Sequence, residues 1–240
     1  WVPRFYYRIG SQASPRYATY GVNAIDIVGD SAFGSEADAN SAGYALHRAF
    51  FDGGPQLGFF VDKYQCSNNG GIASSVRYGA PLSTAAVHNP ISALGGAPTN
   101  TFGGTITAAK TRGSAFHPAS IFIYSALAML SMAHGQAATA STWCAWYDAT
   151  GVSNFPKGNN NNALRDVNDA SVLYVSDGYS NCGQTGSATP FAKTTHNGQA
   201  CGIADLNGNM YEVALGIQCV AASKTITAAT QANPVALTIA

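Results

Sequence analysis

The chain has 240 residues, of which 46% are hydrophobic and only 10% are charged. An average soluble domain carries about 25% charged residues, so this unusually neutral surface suits a subunit covered by neighbours or a protein that works outside the cell. Basic and acidic residues both number 12, and the resulting zero net charge argues against nucleic acid and anionic membrane surfaces as partners.

The first third of the chain predicts short strands separated by turns. Residues 1–9 are rich in aromatic and β-branched side chains and predict a strand. Residues 10–43 are polar and rich in Gly, Ala and Ser, which indicates an excursion or hairpin. Residues 44–51 and 57–64 predict two more strands, and the Asp-Gly-Gly-Pro sequence at 52–55 predicts the turn between them.

The middle of the chain contains one strongly marked helix. Apolar residues recur at helical spacing from Ile121 to Leu130, after Pro118 at the expected first turn, and Gly135 marks the predicted end. A shorter helix is predicted over 105–112. The rest is punctuated by Gly, Pro, Ser and Asn and predicts mostly loop, with no apolar run of the roughly 18–20 residues that span a membrane. The fold class indicated is α+β, loop-rich, with small antiparallel sheets and one to two helices.

The densest motif of the chain lies at 201–212, with the sequence Cys-Gly-Ile-Ala-Asp-Leu-Asn-Gly-Asn-Met-Tyr-Glu. Asn and Gly favour the unusual backbone angles of a tight turn. The apolar and aromatic residues around them, including Met210 and Tyr211, are expected to anchor the turn on a core. Glu212 is followed by apolar residues, so we expect a buried carboxylate that needs hydrogen-bond donors or a cation.

This motif resembles the signature of formylglycine-generating-enzyme-type domains, in which Gly, a hydrophobic residue, Asp, Gly-Asn, an aromatic residue and Glu recur in that order. The family has a C-type-lectin-like fold. Residues 58–64 (Gly-Phe-Phe-Val-Asp-Lys-Tyr) are similar to its early strand, and the helix at 118–134 matches its helix before a glycine. The resemblance implies a C-type-lectin-like domain over 44–220.

Two further segments are similar to a branch of this superfamily found in bacteriophage and prophage tail-fibre and other virion proteins. They are residues 1–7 (Trp-Val-Pro-Arg-Phe-Tyr-Tyr) and 43–50 (Gly-Tyr-Ala-Leu-His-Arg-Ala-Phe). The enzymes of the family carry a cysteine pair after the motif, whereas here only Cys219 follows Glu212. The five histidines also lack the spacing of an iron site. These departures argue against thiol oxidation and against sulfoxide formation.

A calcium site is one interpretation of the motif, with Asn207, Gly208 and Glu212 as ligands, since hard cations take carboxylate and carbonyl oxygens. The resemblance implies such a site in some relatives. The alternative is that Glu212 accepts hydrogen bonds from backbone donors of the turn and has a structural role. No other cofactor is indicated.

Two groups of residues are candidates for a recognition surface. Asn159, Asn160, Asn161 and Asn162 form a polar, uncharged run whose amides both donate and accept, which suits a loop tip that binds a glycan or a protein. Trp146 and Tyr147 lie in an aromatic cluster that could stack on sugars or anchor a partner. The alternatives are a solvent-exposed turn for the asparagines and a core position for the aromatic residues.

The remaining cysteines and acids suggest no catalytic site. The five cysteines are widely spaced, which allows one or two disulfides or a set of small buried thiols. Asp166, Asp169 and Asp177 are expected in a solvated, hydrogen-bonded loop. The chain begins at Trp1 without Met, which predicts a processed product or part of a longer polypeptide.

Together these features predict three regions: an N-terminal strand and polar excursion at 1–43, the C-type-lectin-like domain at 44–220, and a C-terminal extension at 221–240. The predicted function is a non-enzymatic virion protein of a bacteriophage, in a tail fibre, tail tip or capsid decoration. Its predicted partners are neighbouring subunits in a homo-oligomer and a host-surface glycan or protein receptor, without nucleic acid or membrane insertion. A bacterial surface adhesin of the same fold and an enzyme of the formylglycine-generating or sulfoxide-forming type are the alternatives.

Overall fold

The structure is a computed structural model that describes residues 1–150, 155–160, 162–179, 182–220, 223–227 and 236–238. The helices are α1 (Tyr17–Tyr20), α2 (Glu36–Ser41), α3 (Phe102–Lys110) and α4 (Ile121–Ala137). The strands are β1 (Val2–Pro3), β2 (Phe5–Ile9), β3 (Ile25–Gly29), β4 (Ala45–Leu46), β5 (Gly58–Phe59), β6 (Cys66–Asn69), β7 (Ile72–Ser75), β8 (Ile217–Val220), β9 (Ser223–Thr227) and β10 (Ala236–Thr238). The protein is thus mixed α+β with small antiparallel sheets, as predicted, but the described residues form four α-helices where one to two were expected. Within these residues no helix is both long and apolar enough to cross a membrane.

The chain divides into two compact units. Unit 1 contains Trp1–Val61, Ser120–Ala138 and Leu215–Ala240, and unit 2 contains Asp62–Ala119 and Thr139–Ala214. The region boundaries predicted after residues 43 and 220 both lie inside unit 1. Each unit is therefore assembled from segments that are distant in sequence.

Unit 1 is organised around strand β2. Strands β3 and β4 pair with β2 on either side, antiparallel, with Phe5 opposite Gly29 and Tyr6 opposite Leu46. Strand β1 pairs with β5, and β8, β9 and β10 form a further antiparallel sheet. The turn predicted at 52–55 is confirmed, since Phe51 and Pro55 form an antiparallel bridge across it. The strands predicted at 44–51 and 57–64 are shorter than expected, and they pair with the N-terminal strands β2 and β1. The His47 ring accepts the Ala49 N–H at 3.2 Å and starts a 3-10 turn that ends the first segment.

The core of unit 1 is aromatic and is bordered by helix α4. Phe50 is fully buried between Phe5 and Phe59, with ring centroids 5.0 and 5.4 Å away. Helix α4 begins after Ser120, whose hydroxyl accepts the Ile123 N–H at 3.2 Å, a typical N-cap. The predicted helix is confirmed, but its predicted end at Gly135 is wrong. Gly135 keeps helical backbone angles, and α4 continues to Ala137.

The described part of unit 2 contains one strand hairpin, one α-helix, one 3-10 turn and long loops. Strands β6 and β7 form the hairpin, and Ala73 of β7 packs with Leu94 and with Ala108 of α3. Helix α3 begins at Phe102, earlier than predicted, because the Thr101 hydroxyl caps it by accepting the Gly104 N–H at 3.1 Å. The described loops between 139 and 214 contain a 3-10 turn at Phe191–Thr194, isolated bridges and a small apolar cluster of Val172, Tyr174 and Ala188. Several polar contacts of these loops involve the 205–209 turn.

Candidate functional site

The segment 205–209 forms the tight turn that its sequence predicts. Asp205, Gly208 and Asn209 have φ values of 59°, 79° and 65°, in the left-handed region that Asn, Asp and Gly tolerate best. A Cβ at Gly208 would collide with the carbonyl oxygen of Asn159. The glycine is thus required both by the backbone angle and by close contact with a second loop.

The buried carboxylate of this motif belongs to Asp205. Its side chain is 2% exposed. Its Oδ2 accepts the Gly186 N–H at 2.6 Å, and its Oδ1 accepts the Tyr174 hydroxyl at 3.3 Å. Burial raises the pKa of Asp205 to about 6, although these two hydrogen bonds oppose the change. The carboxylate fixes the 205–209 turn to the loop that contains Gly186.

The amide of Asn209 joins three segments of unit 2. Its Oδ1 accepts the Gly183 N–H at 2.9 Å and the Cys182 thiol at 3.0 Å, while its Nδ2 donates to Gln65 Oε1 at 2.7 Å. Its backbone N–H donates to the Asn159 carbonyl at 2.8 Å. Asp205 and Asn209 with these contacts form what we call the polar hub, a set of hydrogen bonds, buried at Asp205 and part-buried at Asn209, that holds the loops of unit 2 together.

The asparagine run lies against the polar hub and is not an exposed loop tip. Asn159 is 4% exposed and Asn160 is half-buried, whereas Asn162 is exposed with a φ of 53°. Asn161 lies outside the described residues. The prediction of a uniformly solvent-exposed run is therefore wrong for Asn159. The backbone beside Asn159 packs closely on the 205–209 turn. Gly158 approaches the Asn207 carbonyl so closely that a Cβ on Gly158 would collide with that carbonyl.

Asp166 was expected in a solvated loop, but its side chain is fully buried. Its Oδ2 accepts the Gly158 N–H at 2.9 Å, and its Oδ1 accepts the backbone N–H groups of Asn168 and Asp169 at 2.8 and 2.9 Å. Asp166 therefore supplies acceptors for buried backbone donors, and Asp177 is likewise buried.

Trp146 and Tyr147, predicted as candidates for a recognition surface, are buried and half-buried. Trp146 is 2% exposed, and its indole N–H donates to the Thr195 carbonyl at 2.9 Å, which is a core position. Tyr147 is half-buried. Both line a polar cavity of about 240 Å³, together with Asp148, Lys157, Asp169, Lys193, Asn168 and Ala145. In it, Lys193 pairs with Asp169 at 2.6 Å. Burial alone would raise the pKa of Asp169, but the contacts with Lys193 and the hydrogen bonds from Ser171 together outweigh burial and lower it to about 2.

The side chain of Glu212 is exposed, so the prediction of a buried Glu212 is wrong. The chain leaves the core immediately after the turn, because Met210 and Tyr211 also face solvent instead of anchoring the motif. Asn207 uses its amide nitrogen to donate to the Pro156 carbonyl at 2.8 Å. The calcium site at Asn207, Gly208 and Glu212 stays a prediction. Among the described residues no three His, Cys, Asp or Glu side chains converge in a metal-binding group.

The four cysteines whose side chains are described are free thiols. Burial raises the pKa of Cys144 and Cys182 to about 11. Burial of the sulfur, with Asp62 3.6 Å away, raises the pKa of Cys66 to about 12. Such thiols are largely protonated near neutral pH, and a protonated thiol is a poor nucleophile.

Sequence reasoning missed a cluster of cations and aromatic rings around Phe191. Lys63 and Arg77 both lie over this ring, with the Lys63 ammonium 5.4 Å and the Arg77 guanidinium 5.0 Å from its centroid. The three residues are far apart along the chain, and only the fold brings them together. Nothing in the local sequence of any one of them marks the cluster.

No protein-family model matches this sequence, and no curated protein shows significant similarity to it.

Proposed function

We propose that this protein is a non-enzymatic component of a bacteriophage virion, in a tail fibre, tail tip or capsid decoration, that binds a host surface or neighbouring subunits. In this proposal the C-type-lectin-like fold holds the loops, and the protein acts in the virion, outside the cell, as a homo-oligomer. The observation that carries the proposal is the polar hub. It fixes the loops of unit 2 from within and directs the residues that follow it into solvent.

Tyr211 is the clearest candidate for a contact with a partner. Its side chain is fully exposed, with a relative accessibility of 106%, and Val213 two residues later is 45% exposed. Tyr211 and Val213 lie two and four residues after Asn209, whose amide and backbone N–H are fixed by hydrogen bonds. A tyrosine has few rotatable bonds and a large amphipathic surface, so on a rigid base it loses little entropy when it binds.

The composition supports a role in an assembly or outside the cell. A chain with 10% charged residues and zero net charge lacks the electrostatic repulsion that keeps crowded cytosolic proteins apart. The same property permits many copies to pack side by side in a particle. We therefore include neighbouring copies of this chain among the proposed partners.

The raised thiol pKa values favour this proposal over the enzyme alternative. An oxidase of the formylglycine-generating type would act through a pair of thiolates. Burial disfavours the thiolate form of Cys66, Cys144 and Cys182, which leaves only Cys201, an exposed thiol, of the four described cysteines. The adhesin alternative would use the same exposed surface. The two proposals differ in where the protein is located: on the bacterial surface for the adhesin and in the phage particle for the virion protein.

The first test locates the protein. Antibodies against the purified chain are applied to particles and cells from its source culture, and labelling is followed by electron microscopy. Labelled phage particles support the proposal. Labelling of the bacterial envelope alone would favour the adhesin, and recovery only as a free secreted monomer would contradict both.

The second test addresses the contact surface. We expect Tyr211→Ala to weaken binding of the purified protein to host cells, or its self-association measured by light scattering, without changing its melting temperature. Trp143→Ala is the matched control, because Trp143 is also in unit 2 and is 68% exposed. Unchanged binding and assembly in Tyr211→Ala would remove Tyr211 from the contact surface.

A further inference from the structure

The cluster around Phe191 presents two cations and three aromatic side chains in unit 2. Lys63 and Arg77 flank the Phe191 ring, and the Tyr64 ring centroid lies 6.2 Å from that of Phe191. The Arg77 guanidinium also lies 5.1 Å from the ring centroid of Tyr78, which is 51% exposed. We call these five residues the basic aromatic patch.

The patch is held in place by the polar hub. Gly186 donates its N–H to Asp205 at 2.6 Å, and its carbonyl accepts the Arg77 Nε–H at 3.0 Å. The Tyr64 ring packs directly on Gly186, where a Cβ would collide with it. Lys63 donates to the Ala200 carbonyl at 2.7 Å. Both cations are thus positioned by backbone acceptors and not by carboxylates.

The positive charge of the patch is not neutralised within the described part of unit 2. No carboxylate oxygen there lies within 4.0 Å of the Lys63 ammonium or the Arg77 guanidinium. The adjacent carboxylate of Asp62 is paired with Arg112 at 2.6 Å. Each cation uses one donor on a carbonyl and retains further N–H donors, because an ammonium has three and a guanidinium five.

We propose that the basic aromatic patch binds an acidic polysaccharide, with Lys63 and Arg77 contacting a carboxylate or sulfate group and the aromatic rings packing against the sugar. This inference rests on the proposed recognition function and names the ligand class of a site in the same unit. Charge-assisted hydrogen bonds from two fixed cations suit one anionic group for each sugar unit. Aromatic faces beside them suit the apolar face of a sugar ring.

The charge of the protein argues against nucleic acid as the occupant. Binding to a duplex typically neutralises six or more phosphates along a continuous basic surface. The chain has only 12 Lys and Arg residues and zero net charge, and the patch contributes two cations. A chain of sugars with isolated acidic groups requires fewer cations than a duplex does.

The test measures the affinity of the purified full chain for four probes: alginate, which carries carboxylates, dextran sulfate, neutral dextran and duplex DNA. We expect the protein to bind at least one of the two acidic polysaccharides. Tighter binding of alginate would identify a carboxylate as the preferred anion, and tighter binding of dextran sulfate would identify a sulfate. We expect the double variant Lys63→Gln/Arg77→Gln to lower that affinity at least about tenfold. Phe191→Leu, which keeps both charges, is expected to lower it about two- to fivefold through loss of the cation–π contacts.

The matched control is Lys110→Gln/Arg165→Gln, which removes the same two kinds of cation from exposed positions elsewhere in unit 2. Its affinity should equal that of the wild type, and melting temperatures establish that all variants are folded. Equal losses in both double variants, equally tight binding of neutral dextran, tighter binding of DNA or no binding to any probe would each overturn the proposal. Antibody labelling of phage particles, or binding of the protein to host cells, can be observed even if Lys63→Gln/Arg77→Gln binds the polysaccharides as tightly as the wild type. In that case the proposed ligand class is wrong and the proposed function stands.

Discussion

The side-chain amide of Asn209 donates to Gln65 Oε1 at 2.7 Å, which joins the last turn of unit 2 to residues just before its first strand. The same amide accepts from Cys182 and Gly183. One residue thus connects three segments that share no continuous sheet. The stability of unit 2 should therefore depend on a few buried polar side chains to an unusual degree.

Asn209 tests this dependence most directly. We expect Asn209→Gly to lower the free energy of unfolding by about 1–3 kcal/mol, because it leaves the buried Gly183 N–H and the Gln65 amide without their partner. Asn209→Ala should cost about 1–2 kcal/mol more, since alanine is strained at a φ of 65°. Urea unfolding curves measure both. Equal stabilities of the two variants would show that the backbone angle carries no cost.

Asp205 should make stability depend on pH. The folded pKa of about 6 lies above the ordinary value of 3.8, so ionisation is harder in the folded state. The stability that the neutral carboxyl contributes is therefore complete below about pH 4 and is lost as pH rises through about 6. The difference corresponds to about 3 kcal/mol.

Asp205→Asn isolates this contribution, because its amide stays neutral and its oxygen can still accept the Gly186 N–H. Urea unfolding is measured at about pH 4 and about pH 8. The free energy of unfolding should fall less between these two pH values in this variant than in the wild type. The comparison cancels the other titrating groups. Parallel pH dependences in the two proteins would contradict the assignment to Asp205.

Gly158 tests the docking of the asparagine run on the turn. We expect Gly158→Ala to destabilise the protein by at least about 2 kcal/mol or to prevent folding, because its Cβ would collide with the backbone of Asn207. Gly103→Ala, in helix α3, meets no atom within 4 Å and should be neutral or stabilising by up to about 1 kcal/mol. Thermal melting of both variants checks the prediction, which fails if Gly158→Ala melts like the wild type.

The thiols should differ in reactivity. Cys201 is exposed, whereas Cys144 and Cys182 are buried with raised pKa values. Cys66 is exposed as a residue, but burial of its sulfur and the nearby Asp62 raise its pKa to about 12. We expect iodoacetamide at about pH 8 to modify Cys201 fastest of these four, as followed by peptide mass spectrometry. In denaturant the four rates should converge. Faster modification of Cys144 or Cys182 in the native protein would contradict the described packing.

Local sequence patterns predicted those parts of the fold that depend on neighbouring residues. Helix α4 was predicted because its apolar residues recur at helical spacing, and the 205–209 turn because Asn and Gly tolerate left-handed backbone angles. Strand pairing was not predictable in the same way. Residues 44–51 and 57–64 were predicted as strands, but nothing in their sequences indicates that β4 pairs with β2 and β5 with β1.

The sequence by itself determined the α+β class, the neutral surface and the position of the critical turn, because composition and turn chemistry are local properties. Only the tertiary structure decided which carboxylate is buried, Asp205 and not Glu212, and that Asn159 lies inside. It also brought Lys63, Arg77 and Phe191 together. Burial and long-range contacts depend on which distant segments of the chain pack together. In a loop-rich unit these contacts are made by single side chains, so no periodic sequence pattern predicts them.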